Sequence, residues 1–113
     1  MLLTFQLNKL PINEVYDVLD EITDDKEIKE EKNQRTIFTL MRELTYDPAR
    51  MLLTVLTEKR IQLSNHFLMK RISDFLFYED EQFVKVATWC LMFCCGSYGV
   101  QLIEKIINGN PPP

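Results

Sequence analysis

Three cysteines, one histidine and a run of carboxylates are the residues of this chain whose types could do chemistry. Cys90, Cys94 and Cys95 fall within six residues. The first two are one helical turn apart and could share a zinc ion, but zinc takes four tetrahedral ligands and no Cys-x-x-Cys pair exists. A reactive thiol needs a nearby cation or a helix N-terminus. These thiols come at the carboxy end of a helical pattern, where the dipole opposes a thiolate. They read as small apolar side chains in close helix packing. An odd, clustered set is not a disulfide framework, so reduced thiols in an intracellular, cytoplasmic protein are expected. His66 has no second histidine at helical spacing and reads as a helix-start or surface residue. Asp17, Asp20, Asp24 and Asp25 suggest a cation site. An EF-hand loop needs a central glycine, and no glycine precedes residue 96. The same lack removes phosphate-cradling loops. No catalytic residue, metal or cofactor is assigned, and the chain is expected not to be an enzyme.

The elements that position these residues follow from composition and spacing. The chain has 113 residues, 46% hydrophobic and 27% charged, which fits one globular domain over residues 1–109. Asn110-Pro111-Pro112-Pro113 cannot continue a helix and is expected to be a disordered tail. The net charge of −4 leaves no basic footprint for nucleic acid. Residues 1–32 hold 9 acidic and 4 basic side chains, so the acidic surface belongs to the first third. Apolar runs are too short for an integral membrane segment. Met1–Leu7 is apolar but lacks the charge order and cleavage site of a secretory signal. It reads as part of the folded body or the edge of something longer.

Apolar spacing is helical almost throughout. Ile12, Val15, Leu19 and Ile22 form the stripe of a first helix. Asp24 and Glu27 have capping spacing for a second, running to about Thr45, with Ile37, Phe38, Leu40, Met41 and Leu44 inward. Asp47 and Pro48 suit the cap and first position of a third, through Met51, Leu52, Val55 and Leu56. A fourth starts near Ser64 or Asn65 and carries Phe67, Leu68, Ile72, Phe75 and Leu76. Asp80 caps a fifth, 81–95, with Phe83, Val86, Ala87, Cys90, Leu91 and Cys94 inward. Gly96 suits its end. A sixth spans about Tyr98 to Asn108, with Val100, Ile103, Ile106 and Ile107 inward.

About six helices with short connections give an all-α fold of stacked antiparallel hairpins. An internal match supports repetition: Phe38–Met41 lies over Trp89–Met92, and Met51-Leu52 over Leu102-Ile103, at an offset of 51.

The carboxy-terminal third resembles known helical-repeat families. Phe83-Val84-Lys85-Val86-Ala87-Thr88-Trp89-Cys90-Leu91 is similar to a V-x-V-A-x-W-C run in the large chains of clathrin-adaptor complexes, the adaptins. Gly96-Ser97-Tyr98-Gly99 is similar to their E-Y-G ending with altered spacing. Glu81 to Asn108 also resembles an armadillo repeat, with Ala87, Trp89 and Leu91 on one helix and Val100-Gln101-Leu102-Ile103-Glu104 on the next. The resemblance implies an armadillo- or HEAT-like α-solenoid scaffold. Armadillo proteins that bind basic import signals carry Asn four residues after the Trp. Here that residue is Phe93, which argues against this ligand.

Val84, Trp89, Met92, Phe93 and Cys95 cannot all share the face of Val86, Cys90 and Cys94, so part of the fifth helix should stay uncovered. Phe77 falls off its own helix stripe close to Lys70 and Arg71, a fair binding hot spot. The lead expectation is a protein–protein interaction scaffold or adaptor, either a homodimer or docking a partner through residues 84–103. An alternative is a small regulatory protein, for instance viral, that inhibits a host factor through its acidic helix 12–31. A third is a fragment of a long trafficking solenoid.

Overall fold

The computed structural model describes residues 2–24 and 31–109, with the side chains of 2 and 31–33 excepted. Among these residues the fold is all-α: α1 (Leu2–Leu7), α2 (Ile12–Ile22), α3 (Glu31–Glu43), α4 (Tyr46–Glu58), α5 (His66–Asp74), a 3₁₀ turn (Phe75–Phe77), α6 (Glu81–Cys94) and α7 (Gly96–Ile107). No described helix is long and apolar enough to cross a membrane. Glu27 and residues 110–113, on which a helix cap and a tail were expected, lie outside the described residues.

Two caps form as their residue types predict. Asn65 Oδ1 accepts from the Leu68 N–H at 3.0 Å, and Asp80 Oδ1 accepts from Gln82 and Phe83 N–H at 2.8 and 3.1 Å. Gly96 takes φ +57°, where a Cβ would be strained. The start of α4 differs from expectation. Thr45, not Asp47, is its N-cap, and Pro48 falls inside the first turn. The reason is tertiary: Asn8 Oδ1 accepts both the Thr45 N–H (2.9 Å) and its hydroxyl (3.1 Å), so the chain turns before Asp47 is reached. Asp47 instead pairs with Arg50 one turn on, at 3.6 Å.

The contacts at helix ends define two layers. Ile12, opening α2, shares a cleft with Tyr46, Asp47 and Pro48, opening α4. At the other ends of the same pair Lys59 binds Asp20. Tyr46 meets Phe83 at the start of α6, with ring centroids 4.9 Å apart, and Cys94 donates to the Leu56 carbonyl near the far ends. So α2, α4 and α6 lie side by side and run parallel. Gln34 on α3 accepts from the Ser64 and Asn65 N–H groups before α5, and His66 on α5 stacks on Tyr98 of α7. Thus α3, α5 and α7 form the second parallel row. Consecutive helices therefore alternate between rows, which is a stack of three helical hairpins. The offset of 51 lays α3 on α6 and α4 on α7, helices from opposite rows. Helices in equivalent places are two apart in order, and the match reflects shared apolar periodicity.

The core runs between the rows through Leu19, Ile37, Leu40, Leu52, Leu56, Leu68, Ile72, Phe75, Phe83 and Leu91, all buried. The helix α1 (Leu2–Leu7) does join the body, because Leu7 is sealed. At Gly99 a Cβ would stand 2.2 Å from the Leu91 carbonyl oxygen, so only glycine lets α7 approach α6 this closely.

Four residues of the expected helix stripes are exposed rather than buried, the first being Ile12, which opens α2. Phe67 is 75% exposed, because it shares its side of α5 with Arg71 and Asp74 while Leu68, Ile72 and Phe75 take the core. Val100 and Ile107 are also exposed. α7 belongs to the last described hairpin, with no described helix on its far side, and Gly99 is its buried residue.

Candidate functional site

A concavity lies between α4 and α6. It holds about 540 Å³ and is lined by Thr54, Thr57, Glu58, Arg60, Val86, Trp89 and Phe93. Val86, Trp89 and Phe93 are spaced by three and four, so they share one flank of α6. The Thr54 hydroxyl donates to the Arg50 carbonyl (3.0 Å) and that of Thr57 to Leu53 (2.7 Å). Both hydroxyls are therefore satisfied inside the helix, and this wall asks little of a polar ligand. Trp89 and Phe93 remain 44% and 41% exposed.

Two cations border the rings. The Arg60 guanidinium carbon lies 3.8 Å from the Phe93 centroid, and Lys85 Nζ lies 4.9 Å from that of Trp89. Among the described residues neither has a carboxylate within 4 Å. Glu58 is engaged elsewhere. It accepts from the Tyr16 hydroxyl at 2.9 Å, and this bond, with the carboxylate's charge, raises the Tyr16 pKa.

Arg60 is also the one non-glycine residue with positive φ among those described, at +53°. It follows the Lys59 C-cap in a Schellman turn. The Ile61 N–H reaches the Leu56 carbonyl (3.2 Å), and the Arg60 N–H reaches that of Thr57 (3.1 Å). Glycine is the usual residue there, because the left-handed conformation costs another residue about 1–2 kcal/mol.

The structure does not gather the five expected interface residues into one place. Trp89 and Phe93 form the groove. Val84 is half-buried on the other flank of α6, and Met92 is exposed without lining the groove. Phe77 is exposed on the 3₁₀ turn. Of the two cations expected beside it, Lys70 and Arg71, the latter is taken, since Arg71 lies over Phe75 at 4.7 Å and near Asp74. The acidic set also divides. Asp17 and Asp24 are exposed. Asp20 is not merely a solvated charge, because Lys59 Nζ contacts its carboxylate at 3.1 Å and its backbone carbonyl, tying α2 to α4. Asp25 lies outside the described residues.

The thiols considered for chemistry are packed into the fold, and the histidine lies exposed against a ring. Cys90, Cys94 and Cys95 are buried free thiols. Hydrogen bonding with the neighbouring thiols, then burial, holds Cys90 well above its usual pKa and protonated. His66 stacks on Tyr98 with centroids 4.4 Å apart. No cluster of three or more metal-ligating side chains occurs among the described residues. A second cleft of about 330 Å³, between α1, α2 and α4, is lined by Asn8, whose carboxamide oxygen is already committed to Thr45.

Arg60 is the residue that sequence reasoning missed. Nothing in Glu58-Lys59-Arg60-Ile61 announces a left-handed residue, since glycine is the usual sign. Lys85, four residues before Trp89, was legible as its neighbour on a helix. No family model matches this chain, and neither a curated protein nor a solved structure matches it significantly.

Proposed function

We propose that this chain is a non-enzymatic protein–protein interaction scaffold, self-associating or docking a partner through the exposed apolar surface of residues 84–103. The observation that carries this reading is the exposure of Trp89, Met92 and Phe93 on a helix whose opposite face is core. Clustered aromatic and Met side chains flanked by cations are the composition of interface centres. The last hairpin adds Val100, exposed on α7. The same reading takes the adaptin- and armadillo-like stretch 83–99 as part of a helical-repeat adaptor, a homodimer or a partner-bound chain, working in a reducing cytoplasm. The acidic-helix alternative has less support, because Asp20 already serves to join α2 to α4.

Site-specific photo-crosslinking in cells tests this. A photoreactive residue in place of Met92 should give adducts with a second copy or another protein. One in place of Asp17 should give few. Adducts from position 17 alone would favour the acidic-helix inhibitor, and their absence at position 92 would end the scaffold reading.

A further inference from the structure

Resting on that reading, we propose that the α4–α6 groove binds a segment of a partner protein in which a large apolar side chain stands beside carboxylates. Trp89, Phe93, Val86 and the two threonines receive the apolar side chain, and Arg60 with Lys85 receives the acids.

Three observations meet at this place. The groove is concave and of about 540 Å³, within the range of sites that enclose a ligand. Its two exposed rings are its largest side chains, and both already carry a cation at 3.8 and 4.9 Å. Those cations have no carboxylate within 4 Å among the described residues, although the chain is acidic overall. On this rim the two cations outnumber the one carboxylate, Glu58. A guanidinium laid flat on a ring still presents its N–H edge, and that fork matches a carboxylate.

The backbone supplies the independent argument. Arg60 occupies the left-handed position of a Schellman turn that glycine would fill without strain. The hydrogen bonds of the turn, Arg60 N–H to Thr57 and Ile61 N–H to Leu56, involve no side chain of residue 60. The turn therefore has no use for arginine, whereas the groove does. Backbone strain retained at a surface concavity points to a use beyond folding. Glu58 also lines the groove and keeps its charge while accepting from the Tyr16 hydroxyl, so it opposes an acidic ligand, and Arg60 with Lys85 outnumbers it two to one.

The test pans a phage-displayed random peptide library against the wild-type chain, Arg60→Gly and Trp89→Ala, with thermal melting of all three. Trp89 is the single tryptophan, so its emission reports occupancy of the groove. Enriched peptides should combine Phe, Leu or Trp with Asp or Glu, and should shift Trp89 emission to the blue. Arg60→Gly should bind them at least about tenfold more weakly while its Tm stays level or rises, because glycine removes the strain. A clear fall in Tm would show that Arg60 is kept for packing on Phe93, and the proposal fails. It fails too if enriched peptides carry no acidic excess, if Trp89→Ala binds them unchanged, or if no peptide is retained. A dimer by light scattering that Trp89→Ala dissociates would put a second copy in the groove. That result overturns this assignment and leaves the scaffold reading standing, whereas absent crosslinks at position 92 would remove both.

Discussion

The two sides of the contact between α4 and α6 differ in a way that composition hides. On the closed side α6 presents Ala87, Cys90 and Cys94 toward α4, and the Cys94 thiol reaches the Leu56 carbonyl at 3.3 Å. On the open side the same helix presents Val86, Trp89 and Phe93, and a groove remains. Small side chains let two helices approach until backbone and thiol touch, while large ones hold water-accessible space open. Trp89 and Phe93 are left partly outside, whereas Phe83, as large as Phe93, is buried at the start of the same helix. Position on the helix, rather than size or hydrophobicity alone, sorted them.

The largest effect should come from the closed side. Leu56→Ala, at a fully buried position, should cost about 2–5 kcal/mol and lower the melting temperature by roughly 10 °C or more, read by circular dichroism. A loss no larger than that of a groove substitution would erase the distinction between the sides.

Gly99→Ala extends the small-residue argument to the α6–α7 contact. The new methyl would meet the Leu91 carbonyl oxygen at 2.2 Å and Cys95 Cβ at 2.7 Å. A net loss of about 1–3 kcal/mol is expected despite alanine's better helix propensity. A more stable variant would show that α7 is free to move away.

Trp89→Ala and Phe93→Ala should each cost only about 1–1.5 kcal/mol in chemical denaturation, because water already reaches much of each ring. Their effect on partner binding should exceed their effect on folding.

The amino end of the contact is closed by polar groups. Tyr46, opening α4, stands close to Asp80, the cap of α6. Partial desolvation and the neighbouring Asp80 carboxylate push the Tyr46 pKa up to about 12, and the Tyr46 hydroxyl with the Phe83 N–H lowers that of Asp80. A raised folded-state pKa means that Tyr46 contributes in full below its unfolded value of about 10 and stops contributing as pH climbs toward about 12. A depressed one means that Asp80 contributes above about 3.9 and stops as pH falls through its lowered folded value. Tyr46→Phe should flatten the alkaline limb of denaturation midpoint against pH and reduce the acid limb. Unchanged limbs would show that this latch is idle.

The smallest effect is a spectroscopic one. With Lys85 over its ring and Arg60 nearby in the groove, Trp89 should be quenched more by iodide than by caesium. Equal quenching would mean that the rim carries no effective positive potential.

Much of the fold was legible because its signals are local. Asn65, Asp80 and Gly96 act within a few residues of themselves, and Val15, Leu19, Leu52, Leu56, Ala87 and Cys90 follow helical spacing. The start of α4 was misread because its deciding partner, Asn8, is distant in sequence. Phe67 was misread because hydrophobicity outweighed its side of the helix, which it shares with Arg71 and Asp74. Of the site, Trp89 and Phe93 were visible as surplus to the core stripe. That Val84, Met92 and Phe77 lie apart from them depends on which flank α4 occupies. The pairing of Asp20 with Lys59 depends equally on the packing of α2 against α4.

The order of residues determined that this chain is helical, where most of its helices begin, and that α6 has more large apolar side chains than one buried face can hold. Each is a short-range consequence of periodicity, capping chemistry and side-chain volume. Only the tertiary structure decided which helices lie in the same row, which excess residues share a groove, and that an arginine in a left-handed turn stands beside Phe93. Those outcomes follow from contacts between segments far apart in the chain, and no local pattern specifies them.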